Sequence, residues 1–147
     1  MPRKAISRLL AANAASLADL WTTAVRQDHR IRSDDSLDHV ELTDEVPNML
    51  EELAGLLARD ETPSVVSVHE GRAHVYVRFR QGYRARDLVR ELSLLRLVVL
   101  DFVAAQAGGP ELALGVSDYA EAARVVNLYV DEEMRYAITV YTESDES

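Results

Sequence analysis

Between His74 and Val103 the chain reads HVYVRFRQGYRARDLVRELSLLRLVVLDFV, and the second half of that stretch constrains everything around it. Leu88, Leu92, Leu95, Val99 and Phe102 recur at helical spacing, and Val89, Val98 and Val103 add a second apolar stripe. A helix that is apolar on more than one stripe has no solvent face. It is either the central helix of a domain or the seam of an oligomer, and the remaining chain is expected to pack against it.

The chain has the length of one domain, 147 residues, and its 48% hydrophobic content is enough for one sizeable core, so a single domain over 1–147 is expected. With no cysteine there is no disulfide framework, thiol nucleophile or thiolate metal site. Apolar runs all fall short of the about eighteen residues a membrane helix needs. The opening MPRKAISRLLAANAAS is amphipathic, unlike a secretory signal, so a cytoplasmic location is expected. The net charge of -9 argues against broad contact with nucleic acid or an anionic membrane. Its sign alternates by block: net +4 over 1–32, -9 over 33–61, +4 over 62–100 and -8 over 101–147. Neighbouring helices can use such alternation to choose partners, although each exposed pair contributes only about 0.2–1 kcal/mol.

In chain order, residues 4–31 read as one long helix with Ile6, Leu9, Leu10, Leu17, Leu20, Trp21, Ala24 and Val25 on a stripe. Trp21, in the middle, reads as a core anchor, with the wall of a ligand pocket as the competing reading. SDDS at 33–36 supplies capping groups for a second helical region. Pro47 predicts a kink or restart in that region, capped by Thr43, Asp44 or Glu45 and running to about residue 58. Residues 60–64 read as a connection. Over 65–82 local rules conflict: Ala73, Val75, Val77 and Phe79 alternate with polar or aromatic residues, as in a strand, yet no third strand is available to support a hairpin. The long helix then spans about 84–106 and stops at Gly108, Gly109 and Pro110. A last helix, about 117–142 with Ser117 as N-cap, is followed by an acidic tail, 143–147, expected to fray.

Several of these segments together resemble the RsbR N-terminal domain family, the non-haem globin-like sensor domains of stressosome proteins and of some bacterial sensor histidine kinases. The resemblance rests on Trp21, the PNMLEELA run from Pro47 to Ala54, His74 with Arg78, Gly82-Tyr83, the run from Leu88 to Arg96, and the closing run from Leu128 to Tyr141. It implies an all-α, globin-like domain of about five to six helices, with 65–80 helical despite its β-branched content. It further implies a homodimer formed through a helical bundle, and a last helix that hands a signal to a downstream output domain or partner protein. The expected function is a non-enzymatic sensory input domain. The alternatives are a structural dimerisation or scaffold domain without a ligand, and a haem-binding globin sensor.

Candidate residues follow from both lines of reasoning. Trp21, His74, Tyr76, Arg78, Tyr83 and Arg96 are candidates for a pocket that takes a small apolar or amphipathic, fatty-acid-like molecule, with Arg78 or Arg96 as the fork for an acidic headgroup. Leu95, Val99, Val126 and Val130 are candidates for the dimer seam. His69 and His74 raise the question of a haem ligand, but they sit among Glu70, Arg72 and Arg78 in a stretch that reads as partly solvated. Their separation of five does not put them on one face as a metal pair, and neither haem nor a metal ion is expected. Glu91 and Arg96 are polar marks on an apolar cylinder, expected to pair with another helix or a dimer mate. No nucleophile elbow, phosphate loop or isolated carboxylate pair is present, so an enzyme is not expected.

Overall fold

A computed structural model describes residues 2–59, 61–64, 67–107 and 115–146, and the regular structure among them is all helical. The order is α1 (Pro2–Ala12), α2 (Ala14–Gln27), a 3-10 turn (Ser33–Ser36), α3 (His39–Thr43), α4 (Val46–Ala58), α5 (His69–Arg80), α6 (Ala85–Ala107) and α7 (Val116–Glu146). Apart from the one-turn α3, these are six substantial helices, the all-α architecture the resemblance implies.

The central position of α6 follows from its sequence. Leu88, Leu92, Leu95, Val99 and Val103 are all buried, in one continuous core with Leu17, Trp21 and Val25 of α2 and Val126, Tyr129 and Val130 of α7. α7 runs along α6, α2 covers another side, and α1 closes on α4, where the Ser7 hydroxyl donates to the Ala54 carbonyl at 2.6 Å. Each large apolar side chain buried in this way stabilises the fold by about 1.5–3 kcal/mol. The helix nevertheless keeps a wet side. Val89 and Leu97 are exposed, and Leu94, Val98, Leu100 and Phe102 are half-buried.

Local chemistry explains where the boundaries differ from those expected. The first helix is interrupted at Asn13, whose side-chain amide donates to the Leu9 carbonyl at 2.7 Å and so competes with the helix ladder. It ends at Gln27 rather than near 31, because Asp28 turns the chain by accepting from the Arg30 backbone N–H at 2.8 Å. Leu20, expected on the buried stripe, is exposed. SDDS forms the 3-10 turn itself, and the cap of α3 is Asp38, in a reciprocal capping box with Glu41. Pro47 sits in the first turn of α4, where its missing N–H leaves no bond unmade. That is the predicted restart, but without a side-chain cap from Thr43, Asp44 or Glu45.

The contested segment is helical as α5, with residues 65 and 66 outside the described ones. α5 ends in a Schellman motif: the Tyr83 N–H donates to the Arg78 carbonyl and the Gly82 N–H to the Phe79 carbonyl, with Gly82 at φ 80°. α6 ends at Ala107, and Gly108, Gly109 and Pro110 lie outside the described residues. α7 starts at Val116, with Ser117 already inside it, and continues through most of the acidic tail to Glu146. None of the described helices is long and apolar enough to cross a membrane. In α6 the length suffices, but Arg86, Asp87, Arg90, Glu91, Arg96 and Asp101 punctuate it.

Candidate functional site

His74 and Arg78 are four residues apart on α5 and therefore share a face, and that face turns inward, onto Glu91 of α6. All three are completely buried. Glu91 Oε1 accepts from Arg78 Nε at 2.9 Å and stands 2.8 Å from His74 Nε2. The Trp21 indole donates to the Glu91 backbone carbonyl at 3.0 Å, and its ring meets the His74 ring edge-on at 6.1 Å. On the other side of His74, Nδ1 lies 3.8 Å from Glu45 Oε2, at the start of α4.

The Arg78 guanidinium has all its nitrogens occupied. Nη1 donates to the Gln81 side chain at 2.9 Å and to the Glu41 carbonyl at 3.2 Å, while Nη2 donates to the Leu42 carbonyl. The flat cation lies between the rings of Trp21 and Tyr83, 6.0 and 5.2 Å from their centroids. Burial alone would raise the Glu91 carboxyl, but the His74 hydrogen bond and the charges of Arg78 and His74 hold it below the ordinary carboxylate range. Glu45 is likewise depressed against its own burial by His74 and Arg78. Burial and the neighbouring Glu91 charge keep the Tyr83 hydroxyl protonated far above its usual range. This cluster thus joins α2, α3, the start of α4, α5 and α6 around one buried carboxylate. The last turns of α7 reach it as well: the Tyr141 hydroxyl donates to the Tyr83 carbonyl at 2.6 Å and its ring packs edge-on against Phe79 at 5.1 Å.

The family model described as RsbT co-antagonist protein rsbRD N-terminal domain matches residues 15–147, which include every residue of the cluster. The chain belongs to this family. No curated protein and no solved structure matches it. Membership makes it a signalling input domain of the stressosome type.

Within this RsbRD N-terminal domain, Trp21, His74, Arg78 and Tyr83 come together, whereas Tyr76 and Arg96 do not join them. Tyr76 is 48% exposed on the outer side of α5. Arg96 ties α6 to α7 through Asn127 at 3.1 Å and Asp131 at 3.4 Å. His74 and Arg78 are the opposite of partly solvated, because the acidic partner they bind lies inside the core. His69 is exposed. A haem-ligating imidazole needs to face a flat slot, and His74 is completely buried with both ring nitrogens turned to carboxylates, Nε2 hydrogen-bonded to Glu91 at 2.8 Å and Nδ1 3.8 Å from Glu45. The four dimer candidates, Leu95, Val99, Val126 and Val130, are covered by their own chain, each 3% exposed or less. They are core residues of the protomer because the second stripe of α6 and α7 is used between those two helices.

Clefts open on the surface of the described residues. One, about 570 Å³, lies between α4 and the start of α5 and includes Glu51, Glu52, Arg59 and Glu70; a smaller one of about 100 Å³ includes Arg72, Arg135 and Tyr136. Sequence reading missed Glu45 and Tyr141. It also missed Glu52, which accepts from the Glu70 and Gly71 backbone N–H groups that open α5 and from the Tyr129 hydroxyl at 2.6 Å. The signal for Glu52 lay in its place in the PNMLEELA run, where it follows an acidic twin and reads as solvated.

Proposed function

We propose that this chain is a single dimeric input domain, cytoplasmic and non-catalytic, that passes its state to an output domain or partner protein through α7. The observation that supports this most is the junction of the buried His74–Arg78–Glu91 cluster with Tyr141, near the end of α7. A change in how α5 sits on α6 moves the Tyr83 carbonyl, and with it the anchor of the α7 C-terminal turns. The dimer face best supported is the exposed side of α6 with Val89, Leu97 and the half-buried Leu100, together with Ile138 of α7, in place of the buried seam expected from sequence. Light scattering of the purified protein tests the assembly: a mass twice 16.4 kDa is expected, and a monomer at micromolar concentration contradicts it.

A ligand-binding version of this reading has its own support. Glu45 Oε2, His74 Nδ1, Tyr83 Oη and Glu91 Oε2 are buried without hydrogen-bond partners. Arg78 is already saturated and two of these four atoms are carboxylate oxygens, so an amphipathic molecule with a hydroxyl or amide headgroup suits the site better than a fatty acid. Native mass spectrometry combined with thermal shift supports this version if a long-chain alcohol or amide co-purifies or stabilises the protein. Stabilisation by the fatty acid alone contradicts it, and stabilisation by none of them leaves the scaffold reading, a domain without a ligand.

A further inference from the structure

Glu133 lies midway along α7, completely buried, and neither of its carboxyl oxygens has a hydrogen-bond partner. Its side chain occupies the space that a side chain at Gly71 of α5 would take. A Cβ there would lie 2.8 Å from Glu133 Cγ and 3.1 Å from its Cδ, as well as 2.8 Å from Val68 Cγ1. α5 and α7 therefore approach closely at this point, with the carboxyl group enclosed between them.

An ionised carboxylate so placed lacks both solvent and a compensating donor, and it is far costlier to bury than the neutral acid. The charges around it do not offset this. Glu52 of α4 is held by the α5 N-terminus and Tyr129, and Glu91 of α6 is engaged by His74 and Arg78. Glu70 opens α5, Arg72 of α5 lies over the Tyr136 ring, and Lys4 and Arg8 of α1 point to solvent. Burial, then the negative charges of Glu52 and Glu91, raise the Glu133 carboxyl well above its ordinary range.

We propose that Glu133 is a proton-binding site whose occupied, neutral form seats α7 against Gly71 of α5, and whose ionisation lifts this stretch of α7 off its seat. The ligand is the proton itself, exchanged with solvent as the helix opens. The sign follows from linkage: the group binds its proton more tightly folded than unfolded, so its contribution is complete below the ordinary carboxylate range and is lost as pH rises through the folded value. Nothing in this depends on what α7 signals to.

The test compares the wild type with Glu133→Gln, which is neutral at every pH and nearly the same shape. Over pH about 5 to about 8, the wild-type unfolding constant is expected to rise with pH relative to that of the variant, by up to about tenfold per unit, the slope for one proton. Amide protection between Tyr129 and Ala137 is expected to fall with it in the wild type only. Parallel pH profiles in the two proteins overturn the proposal. Carbon-13 carboxyl resonances of the wild type decide the matter even if the variant fails to fold: Glu133 is expected to be protonated at neutral pH, and titration in the ordinary glutamate range refutes the site.

Discussion

Glu91 shows how a charge can occupy the central helix of a domain. Its carboxylate is matched by Arg78 and His74, and its backbone carbonyl by Trp21, so the group is stable only as a set. Removing one member strands the others. Arg78→Met is expected to destabilise the domain by about 3–5 kcal/mol, measured by urea denaturation, because it leaves Glu91 charged and buried. The double replacement Arg78→Met with Glu91→Leu is expected to cost less than the single one. A simple sum of the two single effects would mean that the pair is not coupled. The same residues give an acid limb to stability. Glu91 and Glu45 have folded values below their unfolded ones, so their contribution is present above the ordinary glutamate range and is lost as pH falls through the depressed values. Glu91→Gln is expected to flatten that acid limb in thermal melts, and an unchanged limb would assign it to other carboxylates.

Among the helices, α5 is the one whose state the residues alone do not settle. Ala73, Val75, Val77 and Phe79 alternate as in a strand because the inward positions at 74 and 78 are polar, which hides the helical stripe. Only the partner on α6, seventeen residues from His74, makes that face a buried one. α4 and α6 carry ordinary apolar stripes, so both were legible from spacing, as was the restart at Pro47. The ends were less so: the Asn13 break and the Asp28 turn depend on single side-chain-to-backbone bonds. The α5 terminus gives a clean prediction at this scale. A Cβ at Gly82 meets open space, so Gly82→Ala isolates the conformational cost of φ 80°, about 1–2 kcal/mol by chemical denaturation. No loss would mean that the turn adopts another geometry.

At the scale of the whole molecule, the seams between α6 and α7 and between α5 and α7 link the core to the longest helix. Because Leu95 is inside the protomer and Leu97 outside, charge at the two positions should act differently. Leu95→Glu is expected to unfold the domain, whereas Leu97→Glu is expected to leave helicity by circular dichroism intact while halving the mass in light scattering. In the proposed function, the buried cluster around Glu91 holds the C-terminal turns of α7 in place. Native-state hydrogen exchange on the wild type and on Tyr141→Phe, which deletes only the bond to the Tyr83 carbonyl, tests it most directly. Exchange between Tyr136 and Thr142 is expected to be about tenfold faster in the variant, for a lost hydrogen bond of about 1.4 kcal/mol, with α1 and α4 unchanged. Equal protection of those α7 amides in both proteins would contradict it.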